Sequence, residues 1–95
     1  MEIARVPTIY NLVLTTAGTE YPQVLNTTDQ PTIKKVQIKS RTKSDDLSYS
    51  WVTAGNFVTI FGGQTYWEDN LEAWQLTLFI KGTVNGQVAE IEVWV

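Results

Sequence analysis

The sequence predicts an all-β fold, a single-domain β-sandwich or jelly roll of about eight short antiparallel strands, and three observations lead there. Residues 87–95 read Gln-Val-Ala-Glu-Ile-Glu-Val-Trp-Val, a strict two-residue alternation. A terminal segment patterned in this way is expected to be held in a sheet, because chain ends fray unless something ties them down. Turn signals recur at spacings near ten residues, the rhythm of short strands in a sandwich or barrel. They fall at Ala17-Gly18, 26–31, 42–46, Ala54-Gly55-Asn56, Gly62-Gly63 and Val84-Asn85-Gly86. Finally, no segment carries the 3.6-residue apolar period over the length of a helix; only 68–73 would make a helical turn. Two apolar inner faces bury one another, which favours two packed sheets over an open one, although a small closed barrel satisfies the same patterning.

Taken in order, residues 1–8 hold Pro7 and little periodicity and are expected to form an extended arm leading into a domain of residues 9–95. Residues 9–16, rich in Thr, Val and Leu, make a strand that ends at Ala17-Gly18. Residues 19–25 are expected to return as its hairpin partner, with Pro22 confining them to a sheet edge or a strand start. A polar loop at 26–31 precedes a strand over 33–41, and a charged turn at 42–46 precedes another over 47–52. In that strand Leu47, Tyr49 and Trp51 share one face. Short strands follow at 57–61 and 64–67. The strand at 74–81 turns Trp74, Leu76, Leu78 and Ile80 inward. Asn85-Gly86, the strongest short hairpin signal, is expected to join it directly to the last strand.

Composition bounds the function. Ninety-five residues with 43% hydrophobic and 12% aromatic content describe one ordered domain, able to bury roughly 60–65% of the surface its unfolded chain exposes. There is no cysteine, so no disulfide braces the fold and no thiolate binds metal or attacks a substrate. Residues 1–7 lack the basic start and apolar run of a signal peptide, and no stretch reaches the ~20 apolar residues of a membrane helix. A soluble protein made without a leader is expected. Although the net charge is −3, five of the seven basic residues (Lys34, Lys35, Lys39, Arg41 and Lys43) lie within ten positions. They alternate with Val36 and Ile38, as on a half-solvated strand. A nucleic-acid face would instead interleave its cations with exposed aromatic rings. Glu90 and Glu92 repeat the spacing and would pair with Lys39 and Lys35 if the two strands are neighbours.

The chain contains no histidine, which removes Ser-His-Asp and Cys-His chemistry, and no serine stands in a strained elbow or a Ser-x-x-Lys arrangement. Asp45-Asp46 and Glu68-Asp69 lack the dense oxygen spacing of a calcium loop and read as solvated turn residues. The expectation is a protein that is not an enzyme, with no catalytic, cofactor-binding or metal-ligating residues. The aromatic set Trp51, Tyr66, Trp67, Trp74 and Trp94 is more informative. Trp51 and Trp74 run in phase with apolar neighbours and are expected in the core. Trp94 runs in phase with Glu90 and Glu92 and is expected to face outward at the end of an edge strand, as a contact for a partner protein rather than a platform for sugars.

Four segments carry a family resemblance: Val6-Pro7-Thr8-Ile9-Tyr10-Asn11; Leu14-Thr15-Thr16-Ala17-Gly18-Thr19-Glu20-Tyr21; Gly63-Gln64-Thr65-Tyr66-Trp67-Glu68-Asp69-Asn70-Leu71; and Val88-Ala89-Glu90-Ile91-Glu92-Val93-Trp94. Together they resemble a family of small proteins encoded among the structural genes of tailed bacteriophages, with departures at 26–33 and 43–57. The resemblance implies a virion component, localised to the particle after assembly in the host cytoplasm. The expected function is that of a capsid decoration or auxiliary protein that stabilises the head through contacts with the major capsid protein or other virion proteins. A homo-oligomer is compatible with this role, and neither nucleic acid nor membrane is an expected partner. Candidate interface residues are Arg5, Val6 and Pro7 on the arm, Tyr66, Trp67, Glu68 and Asp69 as a turn, and Trp94. The alternative is a tail or fibre module that binds a receptor or carbohydrate, stacking the same rings on host glycans.

Overall fold

The computed structural model describes residues 7–26, 32–69, 71 and 75–94. Among them lie eight strands: β1 (Thr8–Leu14), β2 (Tyr21–Asn26), β3 (Lys35–Ser40), β4 (Leu47–Ser50), β5 (Val58–Ile60), β6 (Thr65–Glu68), β7 (Gln75–Gly82) and β8 (Gln87–Trp94). They form two four-stranded antiparallel sheets with orders β1-β8-β3-β6 and β2-β7-β4-β5. The ladders reveal one long hairpin folded on itself. β1 pairs with β8, β2 with β7, β3 with β6 and β4 with β5, so the halves of the chain run side by side to a tip at the β4–β5 connection. Winding that hairpin brings β3 against β8 and β4 against β7 and closes the two sheets. This is the eight-stranded jelly roll, a pair of interlocked Greek keys.

Two expected local hairpins are corrected by this topology. β1 and β2 lie in opposite sheets, and so do β7 and β8. The reversals at Ala17-Gly18 and Asn85-Gly86 are therefore corners between sheets. Gly86 takes φ 78 and donates its amide to the Leu14 carbonyl at 2.8 Å, while Gly18 N–H reaches the Gly82 carbonyl at 3.0 Å. The Asn85 side-chain oxygen accepts from Ala17 N–H at 2.8 Å, which stitches the two corners together. Pro22 does sit on an edge, since β2 has one neighbour, β7. β1 begins at Thr8, the last residue of the expected arm, while residues 1–6, including Arg5 and Val6, lie outside the described residues.

The two-residue period fills the core from both sheets. β3 and β8 alternate buried and half-buried along their length, which directs Val36, Ile38, Ala89, Ile91 and Val93 inward from one sheet. Leu25, Leu47, Tyr49, Ile60, Leu78 and Ile80 meet them from the other. Leu14, Ile33, Ile38, Leu78, Ile80 and Ile91 are among the side chains removed from solvent altogether, each contributing about 1.5–3 kcal/mol of burial. Trp51 is half-buried against this cluster, its ring nearly perpendicular to that of Tyr49 with centroids 6.4 Å apart; Trp74 lies outside the described residues.

At the tip of the long hairpin, Ala54 adopts φ 52, a left-handed conformation unusual for alanine. Its amide is held at 2.9 Å by the Glu20 carboxylate, which also accepts from the Thr53 hydroxyl. Those bonds, the Thr53 one first, hold the Glu20 carboxyl below its ordinary range.

Candidate functional site

The outer face of the β1-β8-β3-β6 sheet collects the residues with unspent binding capacity. On β8 the alternation that sends Ile91 and Val93 inward turns Glu90, Glu92 and Trp94 outward. β3 presents Lys35, Gln37 and Lys39 on the same face: Lys35 lies opposite Trp94, Gln37 opposite Glu92 and Lys39 opposite Glu90. β6 adds Trp67 opposite Gln37, and β1 adds Ile9 opposite Glu92 and Asn11 opposite Glu90.

Trp94 and Trp67 meet across β3. Their rings are nearly parallel, 12° apart with centroids 6.5 Å from one another, and the Lys35 ammonium sits in the notch between them, 3.6 Å from the Trp67 centroid and 4.9 Å from that of Trp94. The lysine charge is attracted to both ring faces, which favours the arrangement that brings the two indoles together. Trp67 remains 52% exposed and Ile9, at the far end of the same row, 59%. Beyond the indoles the face is electrostatically organised. Glu90 bridges Arg41 at 3.0 Å and Lys39 at 3.7 Å, and the Arg41 guanidinium also donates to the Asn11 side chain at 3.1 Å. The expected Lys39–Glu90 pair is therefore present. The expected Lys35–Glu92 pair is replaced by the cation–π contact, because the register sets Lys35 against Trp94 and Glu92 against Gln37. Glu92 makes no ion pair among the described residues, which leaves a carboxylate beside the tryptophans for a cationic group on a partner.

Trp94 faces outward as its phase requires, but β8 is an interior strand between β1 and β3, not an edge. Trp94 is half-buried; it meets Trp67 and Lys35 on the outer face and is not among the side chains packed against the core. The contact turn expected over 66–69 is also corrected: the strand expected over 64–67 is present as β6 and runs on through Glu68, so the side chains of Tyr66, Trp67 and Glu68 alternate and only Trp67 joins Trp94. Asp69 is exposed just past the strand. Pro7 is half-buried and precedes Thr8, whose pairing with Val93 puts it at the Trp94 end of the sheet.

Tyr66 turns inward and packs at a tilt against Tyr49 of the opposite sheet, centroids 4.3 Å apart with the rings 33° from parallel, while its hydroxyl donates to the Glu68 carboxylate. Burial first, then the bond to Glu68, raises the Tyr66 phenol far above the ordinary tyrosine range. A phenol whose folded pKa exceeds its unfolded value contributes stability that is complete below about pH 10 and is lost as pH climbs toward the folded value. Stability should therefore begin to fall above about pH 10, and the Tyr66→Phe protein should lose less of its remaining stability over that interval. Urea unfolding of both proteins across alkaline pH checks this; parallel curves would show that Tyr66 ionises as freely in the fold as out of it.

Lys35, Gln37, Glu92 and Ile9 were not singled out as contact residues by the sequence. The signal that finds them is the strand register, which places their rows beside Trp67 and Trp94. Among the described residues this face offers two ring faces, an apolar flank, the Gln37 amide and the Glu92 carboxylate. Among the described residues no three acidic side chains converge on a metal-sized site. Compared with protein-family models, curated proteins and solved structures, the chain matches none.

Proposed function

We propose that this jelly roll is a non-enzymatic structural protein of a tailed-phage particle, specifically an auxiliary protein that decorates the capsid and stabilises the shell by protein–protein contact. The observation that carries the binding mode is the Trp67–Lys35–Trp94 cluster on the outer sheet face, with the exposed Ile9 and Val13 at its β1 edge. Tryptophans held in one rotamer give up little entropy on binding, and such anchors dominate interface energetics. The virion assignment draws on the sequence resemblance, which includes both tryptophans. Its localisation in the particle and its contact with the major capsid protein follow from that assignment.

A second reading is favoured by the same rings. Nearly parallel indoles flanked by Gln37 and Glu92 offer stacking faces beside hydrogen-bonding groups, which suits a sugar ring and hence a tail or fibre module. Co-sedimentation of the purified protein with particles lacking it, beside a glycan array, separates the two. Saturable binding to particles with a blank array supports decoration. Glycan binding without particle binding supports the second reading.

A further inference from the structure

Three of the four sheet edges carry features that resist pairing with another chain. β2 contains Pro22, β5 is three residues long, and β6 is four residues long and ends on Glu68. Proline, short length and charge are the usual devices that keep an edge from acting as a template. β1 has none of them. It is seven residues long, Thr-Ile-Tyr-Asn-Leu-Val-Leu, with no charge, proline or glycine, and among the described residues it has one neighbour, β8.

The direction of its amides follows from the ladder. Arg41 N–H donates to the Val88 carbonyl and Lys34 N–H to that of Trp94, so the even-numbered residues of β8 direct their backbone groups toward β3 and the odd-numbered ones toward β1. Through the β1–β8 register, Thr8, Tyr10, Leu12 and Leu14 take up the bonds to β8. The backbone groups of Ile9, Asn11 and Val13 consequently point away from the sheet, and the side chains of Ile9 and Val13 are 59% and 54% exposed.

We infer that β1 pairs antiparallel with β1 of a second copy across a two-fold axis at Asn11. The strand is self-complementary in that register: Asn11 faces its own counterpart, and Ile9 and Val13 each face the other on the outer surface. The two exposed β-branched side chains thus cover one another, and a closed isologous contact results. Charge does not oppose it. Glu90 is already paired with Lys39 and Arg41, and Glu92 of the two copies would lie three strand spacings and four residues apart, about 20 Å, beyond the Debye length of roughly 8 Å at physiological salt. A single strand pair buries less than a standard interface, so dimerisation in roughly the micromolar range is expected. The product is one eight-stranded sheet with both tryptophan clusters on the same side. On the proposed function, that geometry would give each dimer two footholds on one surface and a gain in avidity; the pairing itself does not depend on that function.

Because the chain has no cysteine, single-cysteine variants can read the register. Directly opposed residues of a bonded pair lie about 5.5 Å apart at Cα, within disulfide reach. Asn11→Cys should cross-link to itself under mild oxidation. Ile9→Cys and Val13→Cys should each do so poorly but cross-link when mixed, at least tenfold above Val24→Cys, an exposed control on β2. Sedimentation of the unmodified protein should show a concentration-dependent dimer that Val13→Lys weakens at least tenfold. A monomer throughout the micromolar range, or a dimer whose cross-links ignore this pattern, would overturn the inference; circular dichroism on each variant confirms that the fold being tested is intact.

Discussion

Replacing Gln87 by leucine should destabilise the protein by about 3–5 kcal/mol, with an unfolding midpoint lower by roughly 15 °C or more. Gln87 occupies an inward position of β8 and is 5% exposed, in a row otherwise filled by Ala89, Ile91 and Val93. Its amide is fully used. The side-chain oxygen accepts from Thr83 N–H at 2.9 Å and from Val84 N–H at 3.3 Å, and the nitrogen donates to the Ser40 hydroxyl at 3.1 Å and the Asp46 carbonyl at 2.9 Å. One side chain thereby ties together the end of β3, the entry to β4 and the corner between β7 and β8. Leucine matches its volume but strands those partners, each lost bond to a buried group costing about 1–3 kcal/mol. Gly82 belongs to the same arrangement, since a Cβ there would stand 2.7 Å from the Gln87 side-chain oxygen and 3.0 Å from Leu14. Chemical denaturation measures the effect; a loss below about 1 kcal/mol would mean that the corner holds without this amide.

Removing both outer tryptophans, Trp67→Ala with Trp94→Ala, should reduce binding to particles by at least about 100-fold while leaving the fold intact. Each ring is a hot-spot candidate worth about 2 kcal/mol or more on truncation. Neither is part of the core, so the stability cost should stay near 1 kcal/mol. Lys35→Met separates positioning from contact. It keeps the aliphatic stem but removes the cation held between the indoles, and a smaller loss of about tenfold is expected. Co-sedimentation of each variant, with circular dichroism as a check on folding, gives the comparison. Unchanged binding by the double variant would remove this face as the interface.

The inward and outward sets of β3 and β8 were legible because a half-buried strand writes its period directly into the sequence. Val36, Ile38, Ala89, Ile91 and Val93 against Lys35, Lys39, Glu90, Glu92 and Trp94 could hardly be arranged otherwise. Strand partners were less accessible. Ala17-Gly18 and Asn85-Gly86 report a reversal of the backbone, and the same local geometry serves a hairpin or a corner between sheets. What distinguishes them is the winding of the whole chain, with β1 paired to β8 across nearly its full length, and no local segment encodes that. The candidate face was half visible for the same reason. Trp94 declares its side through Glu90 and Glu92, whereas Tyr66, Trp67 and Glu68 are expected to act together as a contact turn, although the strand expected over 64–67 already holds two of them. Once they are known to form a strand, alternation alone separates Trp67 from Tyr66. Lys35 was read as a partner for Glu92, and only the register shows it set against an indole.

The most direct test of the proposed role is quantitative peptide mass spectrometry on purified particles of a phage whose genome carries this sequence, taking the ratio of this chain to the major capsid protein. Decoration of the shell predicts hundreds of copies, near parity with the capsid protein. A few to a few tens of copies would contradict decoration and move the protein to a vertex, tail or fibre, and its complete absence would contradict the virion assignment itself.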